Sequence, residues 1–135
     1  MLPALFAGVV YVGSRIPDGY HALAEGANCQ RYAYAVLAHF GIQLPPWRSS
    51  ELWEDKSLTK VVGKDFQPLD LMLFAPDDNP FGAHVGLYAG NGLVLHLCKV
   101  AERPAEWPLD QFGSVPSYRT LIGGKRPTLK RKAPE

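Results

Sequence analysis

The chain of 135 residues has no apolar run approaching the roughly 18–20 residues needed to cross a bilayer as a helix, which excludes a helical span. It has only two cysteines, enough for one disulfide at most, which excludes a small scaffold stapled by several bridges. Neither sign of charge dominates. The formal net charge is +1, and a dedicated nucleic-acid binder would need a basic patch from the outset. Internal repeats and low-complexity tracts are absent as well. No basic residue precedes the apolar stretch Leu2–Val12, and Arg15 follows it, so that stretch is a poor signal peptide. It reads better as a first helix or strand packed into the core. The expected location is therefore the cytoplasm, or an exterior reached by a signal-independent route.

What is present is ordinary for a globular domain: 47% hydrophobic and 20% charged residues, in a chain long enough for one core. Thirteen glycines and twelve prolines predict many turns and short elements. One domain is expected over residues 1–124. Residues 125–135, carrying Lys125, Arg126, Lys130, Arg131 and Lys132, read as a basic tail.

The pattern is helical first and extended later. Asn28 suits an N-cap and Gly41 a stop, and between them Cys29, Ala33, Val36, Leu37 and Phe40 recur at helical spacing. Ser49-Ser50 can cap a second short helix, Glu51 to about Leu58. Leu71–Ala75 reads as a buried strand, Asp77–Gly82 as a loop, and Leu109–Phe112 as a helical turn. Tyr118–Ile122 reads as a closing strand. Ala83–Ala89 and Leu93–Cys98, parted by Gly90-Asn91-Gly92, give the strongest hairpin signal in the chain. Helices followed by strands predict an α+β fold with an antiparallel sheet.

Cys29 in the first turn of a helix stands where the dipole and free N–H groups favour an anion, which can lower a thiol pKa. Taken alone it reads more readily as a small buried hydrophobe than as a nucleophile. Hairpin register decides whether His84 and His96 can meet. A two-residue Asn91-Gly92 turn pairs Gly90 with Leu93 and sends them to opposite faces of the sheet. A three-residue loop pairs Ala89 with Leu93 and Gly86 with His96, which puts both imidazoles on one face as diagonal neighbours. The three-residue loop is preferred, with Gly86 leaving room for the imidazole opposite. His21 and His39 read as structural or solvated. A zinc site built from two histidines and a cysteine competes with this reading, although no Cys-x-x-Cys or His-Glu-x-x-His spacing is present. Cys98, across from His84 in the preferred register, is a second candidate nucleophile without a helix end to help it.

From about Tyr11 to Ile122 the chain resembles the NlpC-type, papain-like cysteine peptidases that cut bacterial cell-wall peptides. The matching residues are Asn28-Cys29-Gln30, Pro68-Leu69-Asp70, His84-Val85-Gly86-Leu87-Tyr88, Gly90-Asn91-Gly92 and His96. Gly41-Ile42-Gln43-Leu44-Pro45 and Arg48-Ser49-Ser50 also look like the stretch after the family's first helix. Asn28, Gln30 and Leu69 depart from the family's usual aspartate, serine and glycine. A permuted relative, the lecithin-retinol-acyltransferase-like group, has an Asn-Cys motif but places its histidine before the cysteine.

The resemblance implies a papain-like fold, with N-terminal helices packed on a central antiparallel sheet. It implies a catalytic set of Cys29, His84 and His96, with Tyr11, or alternatively Tyr20, at the oxyanion. Asn28, Gln30 and Gly86 become substrate-binding positions. The implied substrate is a peptidoglycan stem peptide, cut after a γ-linked D-glutamate by a monomer. Neither a cofactor nor a metal is implied, and no nucleic acid or membrane span. An intracellular amidase, deamidase or acyltransferase using the same residues, or an inactive binding module on this scaffold, are the alternatives.

Overall fold

Continuous apolar character makes Leu71–Ala75 a central strand, buried at every position. It anchors the computed structural model, which describes residues 28–98 and 103–128. Leu2–Val12, Tyr11, Tyr20 and His21 lie outside the described residues. Among the described residues two helices come first, α1 (Cys29–His39) and α2 (Ser49–Glu54). Six strands follow: β1 (Thr59–Val62), β2 (Leu71–Ala75), β3 (His84–Gly90), β4 (Leu93–Cys98), β5 (Arg103–Pro108) and β6 (Thr120–Pro127). They form one sheet in the order β1-β6-β2-β3-β4-β5, with each neighbouring pair antiparallel. Strands β2 to β5 run as a meander, and β6 returns to insert between β1 and β2. The fold is α+β with helices on an antiparallel sheet, as expected.

Local chemistry sets the bounds of α1. The Asn28 side-chain oxygen accepts the Arg31 N–H at 2.8 Å and starts the helix. At the other end Gly41 adopts φ +84. The N–H of Gly41 donates to Ala38 and that of Ile42 to Leu37, a Schellman closure with Leu37 and Ile42 both buried. Helix α2 differs from its sequence reading. Arg48, not Ser49, is its N-cap, and Glu51 accepts the Arg48 N–H at 3.1 Å. The Ser49 hydroxyl instead donates to Pro80 O and accepts the Ala83 N–H, pinning the loop that leads into β3. The helix ends at Glu54 because the Asp55 carboxylate gathers the N–H groups of Ser57, Leu58 and Thr59.

Side chains alternate across the sheet. Leu71, Leu73, Ala75, Val85, Leu87, Leu95 and Leu97 pack with Cys29, Ala33, Val36 and Leu37 of α1. Met72, Phe74 and Val94 face the other way and pack with Phe112 and Tyr118. Those two come from 3-10 turns at Leu109–Ser114 and Pro116–Tyr118.

Two strands were not legible as strands. β1 lies at one sheet edge, and β5, with Pro104 and Pro108, at the other. The domain boundary drawn at residue 124 also needs correction, because β6 runs on through Lys125, Arg126 and Pro127. The Lys125 ammonium is buried and donates to the carbonyls of Trp53, at 3.0 Å, and Asp55. Arg126 grips Asp70 through two bonds of 2.9 Å each. Both basic side chains are structural connectors, although in sequence they read as the start of a solvated run.

Candidate active site

The hairpin brings its two histidines together by a route different from the one expected. Asn91 (φ +54) and Gly92 (φ +76) form a two-residue turn, and Gly90 pairs with Leu93. A bulge at Ala89 then shifts the ladder by one residue, so Tyr88 pairs with Val94 and Leu87 with Leu95. The three-residue loop is therefore wrong, yet the register it was chosen for is right. Gly86 falls opposite His96, where a Cβ would come within 3.2 Å of the His96 Cβ.

His84 Nε2 and His96 Nδ1 are 2.7 Å apart, a buried hydrogen bond in which the tautomer decides which nitrogen donates. Only 7% of His84 and 1% of His96 is exposed. His84 stacks on Tyr118 with ring centres 4.2 Å apart. His96 sits among Trp107 and Phe112, at 4.5 and 4.8 Å. With little water to solvate a cation, burial lowers the His96 pKa to about 4, so the ring is neutral at neutral pH.

Cys29 opens α1 on the other side of the sheet and is 9% exposed. The backbone N–H groups of Val85, Gln30 and Cys29 itself point at its sulfur. Geometry explains the first of these. The Tyr88 N–H donates to Asp70 O, so the even-numbered amides of β3 face β2 and that of Val85 faces the β4 side. The β3–β4 ladder stops at Leu87↔Leu95, which leaves the Val85 N–H free to turn to the thiol. Cys29 thus meets the sheet where β3 and β4 part, one residue along from His84.

Burial pushes the Cys29 thiol pKa up, against the downward pull of those N–H groups and the Arg48 charge. The helix-end field alone does not yield the lowered thiol that the sequence suggests. Near the sulfur, Arg48 Nε donates to the buried Gln30 carboxamide at 3.2 Å. The Asn28 oxygen is engaged in capping α1, and Gly86 serves the close approach of β3 to β4. Cys98 ends β4 with its backbone paired to Arg103, and His39 is exposed at the far end of α1. No group of three or more His, Cys, Asp or Glu side chains is arranged to hold a metal among the described residues. Sequence reasoning missed Trp107, Phe112 and Tyr118, the aromatic walls around the histidines. An aromatic at every few positions from Trp107 to Tyr118 was the available signal.

Comparison with known proteins gives a consistent result. The family model described as NlpC/P60 matches residues 11–105. Among solved structures, NlpC1 from Trichomonas vaginalis is similar at 18% identity and TM-score 0.65, over 93% of this chain and 41% of that one. An NlpC/P60 family protein from Bacillus cereus ATCC 10987 is 23% identical with TM-score 0.64, over 93% and 37%. The NlpC/p60 domain of the peptidoglycan hydrolase SagA is 18% identical with TM-score 0.57, over 93% and 91%. The chain therefore spans about two fifths of the first two proteins and nearly all of the third domain.

Proposed function

Because this chain belongs to the NlpC/P60 family, we propose that it is a cysteine hydrolase of amide bonds acting on peptidoglycan stem peptides, after a γ-linked D-glutamate. The observation that carries the reading is the buried His84–His96 pair, set one residue from the Val85 amide that meets the Cys29 sulfur. SagA, a peptidoglycan hydrolase by description, lends support through its shared fold.

In this mechanism Cys29 gives its proton to His84 and its sulfur attacks the amide carbonyl carbon. The Cys29 N–H meets the developing oxyanion, and Tyr11, or alternatively Tyr20, is the second donor that the family resemblance offers. His84 then passes the proton to the leaving nitrogen, the C–N bond breaks, and a thioester remains on Cys29. Water, deprotonated by His84, attacks the thioester, releasing a carboxylate and restoring the thiol. His96 orients His84 throughout. The raised thiol pKa suits a cysteine that stays protonated at rest and yields its proton only when the base is in place.

Cys29→Ala should abolish fragment release from purified muropeptides while leaving the circular dichroism spectrum unchanged. Wild-type turnover in that variant would overturn the assignment. Gln30, standing where the family pattern has serine and tied to Arg48, favours one other reading, the same residues acting on an amide outside the wall. Product mass spectrometry on muropeptides and on simple amides separates the two.

A further inference from the structure

The bond between the two histidines engages one nitrogen of each ring and leaves the second outside that bond. The second nitrogen of His96, Nε2, is buried and has no hydrogen-bond partner among the described residues. Its surroundings are aromatic. Trp107 crosses the imidazole at 70° and Phe112 at 54°. Register brings Trp107 there, since it pairs with Val94, two residues from His96 on the same face of β4. An aromatic face carries negative charge density, so it attracts an N–H and repels a lone pair.

A neutral imidazole has one N–H and one bare nitrogen, so the pair can be protonated in two ways. With Nε2 bare, His96 buries a lone pair among aromatic rings, with no donor to meet it among the described residues. With Nε2 protonated, the buried N–H has the π-systems of those rings as its neighbours, and Nδ1 becomes the acceptor for His84.

We propose that Trp107 is a positioning residue that, with Phe112, holds His96 in its Nε2–H tautomer, so that His84 carries its proton on Nε2 and keeps Nδ1 bare. A bare Nδ1 is the nitrogen able to take a proton from a thiol, and this catalytic meaning rests on the hydrolase reading. The tautomer itself does not. The neutral state it requires is the one that burial of His96 enforces.

Long-range proton–nitrogen correlation spectra of the full chain, labelled with nitrogen-15 at histidine and recorded at neutral pH, test it directly. Both His84 and His96 should show a protonated Nε2 and a bare Nδ1. Trp107→Leu should move His96 into a mixture of tautomers and slow iodoacetamide labelling of Cys29 about tenfold, and Trp107→Phe should restore both. If Trp107→Leu loses its amide dispersion, Trp107→Met takes its place. A protonated Nδ1 on wild-type His96, or tautomers indifferent to loss of the indole, would overturn the proposal. Expected tautomers in a chain that cuts no muropeptide would uphold this inference and sink the hydrolase reading, which keeps the two failures apart.

Discussion

A methyl group on Gly86 would stand 2.7 Å from Val94 Cγ1 and 3.1 Å from the Leu95 carbonyl oxygen. The first is closer than real Cβ atoms come and the second is tight, so Gly86→Ala must displace the Val94 side chain or push β3 away from β4 beside the histidine pair. The expected cost is about 1–3 kcal/mol in urea unfolding, the usual range for overpacking. Muropeptide turnover should fall by more than stability alone explains, because the 2.7 Å His84–His96 bond spans the same gap. A variant with full stability and full turnover would remove Gly86 from the site. Residues of this kind were legible in sequence. A helix cap, a stop glycine and the period of two along a strand are local signals, and they named Cys29, Gly86, His84 and His96. The turn was harder, because a three-residue loop and a two-residue turn with a bulge at Ala89 lead to the same pairing beyond it. In sequence Leu69 stands out only as a departure from the family's glycine. It holds φ +77 with its side chain in the core, so its packing offsets a strained backbone.

Among the elements, those with strong periodicity or continuous apolar character were found, and those defined by their neighbours were not. β1 has buried residues only at its two ends, and β5 carries prolines that a central strand would reject. Each is a strand because an adjacent strand supplies its partners. Lys125 shows the same thing in a side chain. A cluster of positive charges reads as solvated, but this ammonium is fully buried and joins β6 to the end of α2 by binding two carbonyls. Lys125→Met keeps the stem and removes the donors. It should cost about 2 kcal/mol, the scale of charge-assisted hydrogen bonds, read from urea midpoints. An unchanged midpoint would mean that water replaces the ammonium there.

For the molecule as a whole, the neutral His96 couples folding to acidity. Its pKa of about 4 lies below the 6.5 of an exposed imidazole. Between those values the unfolded chain binds the extra proton, so stability is complete above the upper one and is lost as pH falls toward the lower. The swing is on the order of 3 kcal/mol. Urea midpoints over that interval should slope upward with pH in the wild type, and His96→Gln should flatten the slope. Parallel curves for the two proteins would show that His96 does not set the acid limit. The outer rim of β5 has a separate consequence. The Leu109 N–H donates inward to Gly92 O, so the odd-numbered amides around it face β4 and those of 104, 106 and 108 face outward. Two of these three positions are prolines, and Glu106 alone offers a hydrogen. Such a border offers a foreign peptide few hydrogens to pair with, so fibril-like stacking of copies through β5 is disfavoured by covalent structure.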